Sequence, residues 1–391
     1  MKVLSLFDGM ACGMIAMQLA GMEVESYDAY EIDKYAIKTA QHNFPMIKEH
    51  GDVFGADFTQ YEGVDFLIGG SPCTYWSIAQ TKNRETVASG MGWELFSQYV
   101  RALHEAKPKY FIYENNKSMS KAIRASIDET FGFEAVLINS ALVSAQNRQR
   151  LYWVGKQNPD GTYSKVDVEQ PDDRGILLRD ILENGVAWQE KSYNFTTRCC
   201  GAIPEDTLKR HRHTMVAEPI DPRCVAQRGR YPENPKSRVA GLPTEQMFEA
   251  RQDGKTNTLT TVQKDNLVAE PVNITQDGKA QCLRATYYKD GIRNMVGNAV
   301  YRKTCVAEPV RIGTIYEVKD GLITIKGKQY PIKLKDGYYI IRKLTVRECM
   351  RLQTVPEWYE FPVSDSQAYK MLGNGWTCEV IAHILKSLEE A

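Results

Sequence analysis

The strongest constraint on this chain is a repeated alternation, in its first part, of short apolar runs with stretches of helical periodicity. Val3 to Phe7 is such a run. It meets a glycine-bearing turn, Asp8-Gly9-Met10-Ala11-Cys12-Gly13, and helical spacing then continues through Met14, Met17 and Leu19. Val24 to Tyr30 predicts a second strand and Lys34 to His42 a second helix. Val64 to Ile68, Tyr110 to Tyr113 and Glu134 to Ile138 predict further strands, with helices near residues 93–106 and 117–130 between them. Strands alternating with helices in this way imply an α/β fold whose parallel sheet is covered on both faces. Such sheets bind ligands beyond the carboxyl ends of their strands, so residues that follow each apolar run are the first candidates for chemistry.

Several polar residues hold those positions. In Phe7-Asp8-Gly9 the glycine lets the backbone approach a ligand, and the helix N-terminus behind it favours a negative group. Glu31 follows the second strand, about twenty residues on, where a carboxylate accepts hydrogen bonds from ribose hydroxyls. Asp52, in Gly51-Asp52-Val53, is placed to accept from an exocyclic amine. Gly69-Gly70-Ser71-Pro72-Cys73 follows the strand at Val64 directly. A lone cysteine is most often a small buried hydrophobe. One in a Gly/Pro loop at a strand's end, however, has backbone amides available to stabilise a thiolate. Glu114 ends the strand Tyr110–Tyr113, in Glu114-Asn115-Asn116. Gln146, Arg148 and Arg150 precede another apolar strand, Leu151 to Val154. Alternate positions share one strand face, so both arginines are expected in one cleft.

The sequence changes character after about residue 186. Strand-length pieces separated by Gly, Pro, Asn and Asp turns run to about residue 336, and Val-Ala-Glu-Pro recurs at 216–219, 268–271 and 306–309. Unequal intervals speak against a regular solenoid and for repeated hairpins. The net charge of zero hides a division: Lys191 to Lys343 holds 27 Lys and Arg against 16 Asp and Glu, eleven positive charges in excess. A basic segment in an acidic frame suits a polyanion. A solvated basic face without a partner is the plainer alternative, and charge alone does not choose between them. Near Leu344 the helical spacing returns, with Thr345-Val346-Arg347-Glu348 matching a capping box. A final amphipathic helix is expected from about Thr377 to Leu388. The expected organisation is a catalytic segment at 1–185, a β-rich insertion at 186–336, and a return to the first domain at 337–391.

Bulk properties exclude other classes. No run of about 18 apolar residues occurs, which argues against a membrane helix. The start, MKVLSLFDGM, lacks the apolar core and cleavage site of a signal peptide, so a cytoplasmic protein is expected. Nine scattered cysteines in a chain this long point to reduced thiols. Adjacent Cys199 and Cys200 have no second pair at zinc-ligand spacing, and no metal is expected.

Taken in order, FDGMACG, YEID, GDV, GSPC, ENN, QNRQR, RKLTVRECMRLQ and MLGNGWT resemble the motif series of the cytosine-C5 DNA methyltransferase family, bacterial and phage type. Each motif is short; their joint occurrence in order, over nearly all the chain outside the insertion, makes the resemblance specific. It implies a Rossmann-like, class I S-adenosyl-L-methionine-dependent methyltransferase sheet with a smaller β-rich target-recognition domain inserted. It also implies that Cys73 is the nucleophile that attacks C6 of a flipped cytosine, that Glu114 and Arg148 hold the base, and that Arg150 supports their loop. Phe7, Asp8, Gly9, Glu31 and Asp52 would contact the cofactor, and Pro72 would shape its boundary with the base. Asn374 and Trp376 would close the cofactor site, while Leu344 to Gln353 resembles the segment joining the recognition and catalytic domains. The chain departs from the family pattern at Thr74, Trp76, Asn116 and Cys12, and at Gly375-Trp376, where a small residue and valine are usual.

The partner so implied is double-stranded DNA, with a cognate restriction endonuclease if the enzyme serves a restriction-modification system. One active site on an asymmetric duplex suits a monomer. Arg228, Arg230, Lys255 and Asn257 are candidates for base reading in the major groove. Two alternatives stand beside this reading: the same apparatus acting on tRNA, and a DNA-binding module without catalysis. The large insertion disfavours the first, and the complete set Cys73, Glu114 and Arg148 disfavours the second.

Overall fold

The structure, a computed structural model, describes residues 1–77, 84–194, 196, 203–220, 223–230, 245–250, 267–269 and 315–389. It divides into two compact units, residues 1–216 with 343–391, and residues 217–342.

The first unit is built on the expected alternation. In chain order it runs β1 (Lys2–Leu6), α1 (Cys12–Ala20), β2 (Ser26–Tyr30), α2 (Lys34–Asn43), β3 (Lys48–Glu49), β4 (Phe66–Gly69), α3 (Met91–Ala106), β5 (Tyr110–Asn116), α4 (Lys121–Phe131), β6 (Val136–Asn139), β7 (Gln149–Gln157) and β8 (Tyr163–Lys165). Two short helices follow, α5 (Leu178–Ile181) and α6 (Pro204–Arg210). The sheet order is β3-β2-β1-β4-β5-β7-β6, with β8 also paired to β7. The first five of these strands pair in parallel. β7 is antiparallel to both β5 and β6. The strand–helix alternation predicts a parallel sheet, and β7 is a reversed strand within it.

Strand side chains alternate between two cores, as a period of two requires. Leu4, Leu6, Leu67, Phe111 and Tyr113 pack with Phe96 and Leu103 of α3 and with Ile123 and Ile127 of α4. Val3, Phe66, Ile68 and Ile112 face the opposite core, which contains Met14, Ile15 and Met17 of α1. α1 lies so close to the sheet that a Cβ on Gly13 would stand 2.3 Å from Ile68 Cδ1 and 2.7 Å from the Tyr27 hydroxyl.

The second unit contains β10 (Arg223–Arg230) at the centre of a three-stranded antiparallel sheet, between β11 (Glu245–Ala250) and β12 (Leu267–Ala269). A five-stranded sheet carries β15 (Lys328–Pro331), β14 (Leu322–Ile325), β13 (Ile315–Lys319), β16 (Gly337–Lys343) and β9 (Met215–Ile220), in that order. The shift in sequence character near residue 186 and the start of this unit at Ala217 are different points. The intervening stretch belongs to the first unit, where Ser192 N–H donates to Ala145 O at 2.7 Å and Ser192 O accepts from Asn147 N–H at 2.9 Å. The later two Val-Ala-Glu-Pro copies lie wholly or partly outside the described residues, as do Lys255, Asn257, Cys199 and Cys200, and the side chains of Arg228 and Arg230 are not described.

Three helices complete the first unit: α7 (Val346–Leu352), α8 (Asp365–Asn374) and α9 (Cys378–Glu389). The capping box at α7 forms as the sequence indicates: Thr345 Oγ1 accepts from Glu348 N–H and the Glu348 carboxylate accepts from Thr345 N–H. Val380, Ile384 and Leu388 of α9 enter the core that α1 caps. Among the described residues no helix is long and apolar enough to cross a membrane.

Candidate active site

A cavity of about 230 Å³ opens where β1, β2, β4 and β5 end. Phe7, Asp8 and Gly9 reach it from β1, Glu31 from β2, Gly70, Ser71 and Pro72 from β4, and Glu114 from β5. Arg148, Arg150, Asn374 and Trp376 complete much of the remaining wall. This is the position that the parallel topology makes available for ligands.

The β1–α1 turn is backbone under constraint. Phe7, Gly9 and Ala11 all have positive φ, at 58°, 64° and 60°. That conformation suits glycine and is uncommon for an aromatic side chain, so Phe7 is held there by its surroundings. Its N–H donates to Tyr30 O at 2.9 Å. Gly9 N–H donates to Glu31 Oε2 at 2.9 Å, while Glu31 Oε1 accepts from the N–H groups of Ile32 and Asp33, both at 2.8 Å. The Glu31 carboxylate is thus fixed at the rim before any ligand arrives.

Asp8 is buried in the same turn. Its Oδ1 accepts from the Ser5 and Tyr27 hydroxyls at 2.5 and 2.6 Å. Its Oδ2 is buried and has no hydrogen-bond partner. Burial pushes the Asp8 carboxyl up to about 6, opposed by those two hydroxyls and aided by the nearby Glu31 charge.

On the other side of the cavity, the loop after β4 is pinned to β5. Ser71 Oγ and the Tyr113 hydroxyl lie 2.6 Å apart, and Asn115 Nδ2 donates to Ser71 O at 3.2 Å. Cys73 begins a 3-10 turn, Cys73–Tyr75, immediately after these anchored residues. Its side chain lies outside the described residues. Glu114 Oε1 stands 3.0 Å from Arg150 Nε, and the two side chains are only 12% and 11% exposed. Glu114 Oε2 accepts from Trp376 Nε1 at 3.0 Å.

The two arginines have different partners. Arg150 holds the carboxylate. Arg148 turns to the C-terminal segment, donating from Nη2 to Gly375 O at 2.8 Å and from Nη1 to Gly373 O at 3.3 Å. The helix junction behind it is fixed by Gln353, whose Nε2 donates to Leu372 O at 2.6 Å and whose Oε1 accepts from Thr377 Oγ1 at 3.0 Å.

Of the residues singled out from sequence, Phe7, Asp8, Gly9, Glu31, Pro72, Glu114, Arg148, Arg150, Asn374 and Trp376 line one cavity. Asp52 does not: it caps a 3-10 turn by accepting from Phe54 N–H at 3.0 Å. Four further residues emerge from the structure. Gly70 sits where a Cβ would come within 2.9 Å of Glu114 O and Oε2; its signal was the glycine doublet before Ser71. Lys370 and Asp33 line the rim and form a 2.7 Å ion pair, a long-range contact with no local signature. Glu49, the last residue of β3, has both oxygens buried without a partner. The strand-end rule that found Glu31 applies equally to it.

Comparison with known proteins shows the family. The profile of C-5 cytosine-specific DNA methylases matches residues 1–390. The chain is 26% identical over 450 residues to the orphan methyltransferase M.SPRI of Bacillus phage SPR, covering 99% of this chain and 97% of that protein. It is also 26% identical over 404 residues to the type II methyltransferase M1.ScrFI of Lactococcus lactis subsp. cremoris, covering 100% of this chain and 78% of the relative. A crystal structure described as a DNA modification methyltransferase encoded within an E. coli prophage aligns with a TM-score of 0.50 at 18% identity, over 99% of this chain and 98% of that one, a likeness of fold. With its motifs gathered at one end of a methyltransferase sheet and the family profile spanning its length, the chain belongs to the C-5 cytosine-specific DNA methylases and is a DNA cytosine-5 methyltransferase.

Proposed function

We propose that Cys73 attacks C6 of a cytosine flipped out of double-stranded DNA, that Glu114 and Arg150 grip the base, and that the Phe7-to-Gly9 turn and Glu31 would hold S-adenosyl-L-methionine, the source of the methyl group. The observation that carries this reading is the shared cavity: the Arg150-held carboxylate of Glu114 and the Phe7-to-Gly9 turn with Glu31 line the same space. The donor set there fits such a cofactor. Glu31 offers a fixed carboxylate for ribose hydroxyls, and the unpartnered Asp8 Oδ2 suits a cation. When bound, S-adenosyl-L-methionine supplies an electrophilic methyl group on its sulfonium.

Cytosine C5 is a weak nucleophile until C6 is saturated. Adding the Cys73 thiolate to C6 breaks the C5–C6 double bond and moves electron density to C5, so covalent catalysis replaces one hard step with easier ones. The Glu114 carboxyl hydrogen-bonds N3 and stabilises the adduct, with Arg150 alongside compensating the charge that develops on the ring. Arg148 braces the Gly373–Gly375 turn against that site. After C5 has been alkylated, its proton leaves to water and the Cys73 sulfur is expelled, which restores the double bond. A base inside a duplex cannot reach a thiolate at the foot of a cleft, so the target must be extruded at a cost of a few kcal/mol. The excess Lys and Arg between Lys191 and Lys343 supply phosphate contacts that offset this cost.

Transfer of label from methyl-labelled cofactor tests the reading. Duplex DNA should be labelled at cytosine C5 in a fixed sequence context, read by bisulfite sequencing. Label that appears in tRNA and not in duplex DNA would overturn it.

A further inference from the structure

Trp376 lines the cavity and also touches the Glu114 carboxylate. In this chain the indole Nε1 donates to Glu114 Oε2 at 3.0 Å. The opposite oxygen, Oε1, is 3.0 Å from Arg150 Nε. One carboxylate is therefore spanned by two donors of different charge, a guanidinium on one oxygen and a neutral indole on the other.

We propose that Trp376 is a positioning residue for Glu114: its indole N–H, opposed by Arg150, fixes the rotation of the carboxyl that grips the target cytosine. The inference rests on Glu114 acting on the base, as set out above, and adds a second residue to the control of that group.

Two further observations support it. Gly70 closes against both partners, since a Cβ there would be 2.9 Å from Glu114 Oε2 and 3.4 Å from Trp376 Nε1. The packing around the indole–carboxylate contact thus leaves no room for a methyl group. The backbone that carries Trp376 is also held: Arg148 donates to Gly375 O at 2.8 Å, and Thr377 Oγ1 donates to Gln353 Oε1 at 3.0 Å, on either side of it. The indole is consequently presented from a braced turn.

The chemistry gives the arrangement a purpose. A carboxyl free to rotate about its last bond presents its oxygens to cytosine N3 and N4 only part of the time, and productive geometry tolerates little error. Unequal donors also distinguish the two oxygens. With the carboxyl fixed between them, Oε2 is left to meet N3. Oε1 then remains an acceptor for the exocyclic amine, the pattern that cytosine presents and thymine does not.

The test uses the full-length enzyme with duplex DNA, comparing wild type, Trp376→Phe and a protein carrying 3-benzothienylalanine at position 376. The latter keeps the bicyclic shape and lacks the N–H. Loss of a hydrogen bond to a charged group should lower kcat and the rate of covalent capture by 5-fluorocytosine DNA about tenfold to a hundredfold in both variants. KM for the cofactor should stay within about threefold of wild type, since uniform binding is untouched. A variant with unchanged kcat and a raised cofactor KM overturns the proposal and makes Trp376 a cofactor wall. A benzothienyl protein with wild-type kcat also overturns it, because shape alone would then suffice. Failure of the underlying reading is separate: wild-type enzyme itself would give no covalent capture.

Discussion

Arg150→Met removes the cation from a carboxylate that has almost no access to solvent. The pair is separated by 3.0 Å, with side-chain exposures of 11% and 12%. At an effective dielectric of about 20, a unit-charge pair at this distance has a gross attraction of roughly 5 kcal/mol. Removing one partner of a buried pair typically costs about 3–5 kcal/mol, since the remaining charge is left uncompensated. The indole N–H stays on Oε2, so a loss near 3 kcal/mol is expected for the unit that contains the pair. Such a loss lowers Tm by roughly 5 °C. The decisive form of the experiment is a double-mutant cycle with Glu114→Gln, followed by thermal and urea unfolding. Removing the carboxylate's charge as well should recover part of the loss, and the cycle should give a coupling of about 1–3 kcal/mol. A coupling indistinguishable from zero would refute the claim that Arg150 serves this carboxylate. Activity of Arg150→Met should fall by at least a hundredfold, with cofactor affinity little changed.

Other perturbations follow from the same geometry. Burial raises Asp8 to about 6, so a cationic cofactor that requires its ionised form should bind more tightly as pH rises through 6 and level off above. Calorimetry should show this rise in wild type, and Asp8→Asn should bind more weakly at neutral pH with a flat profile. Burial, with the charges of Asp8 and Glu31, raises Glu49 to about 8. An acid whose folded pKa is raised costs nothing below its unfolded value and destabilises increasingly as pH climbs to the folded one. Glu49→Gln should therefore leave Tm unchanged near about pH 4 and raise it above about pH 8; the opposite ordering would contradict the burial. Gly13→Ala would force a methyl group to 2.3 Å from Ile68 Cδ1, and the overpacking should cost about 1–3 kcal/mol by urea unfolding.

What the sequence revealed was local in kind. The apolar run at Val3–Phe7 became β1 at Lys2–Leu6, and the capping box at Thr345 formed as written, because both depend on neighbours within a few residues. Glu31, Glu114 and Pro72 were legible from their positions after apolar runs, given the rule that parallel sheets bind ligands at strand ends. The reversal of β7 was not legible: a strand has the same period of two in either direction, and only pairing with β5 and β6 decides its sense. The arginines show the same limit. Strand periodicity put Arg148 and Arg150 in one cleft, but which would meet the carboxylate depended on carbonyls of Gly373 and Gly375, more than two hundred residues downstream. Asp8 is the clearest case. Nothing in its neighbours forecast that Ser5 and Tyr27 would both bond one oxygen and leave the other bare.

The most direct measurement is the identity of the residue that bonds to the target base. Duplex DNA with 5-fluorocytosine at the methylated position should be captured covalently in the presence of cofactor, because fluorine on C5 cannot leave as a proton. Proteolysis and mass spectrometry of the captured complex should place the pyrimidine on the peptide containing Gly69 to Cys73, at the sulfur. Cys73→Ser should bind the same DNA without capture. A crosslink mapped to any other residue, or methylation by Cys73→Ser at the wild-type rate, would contradict a mechanism that begins with this thiolate.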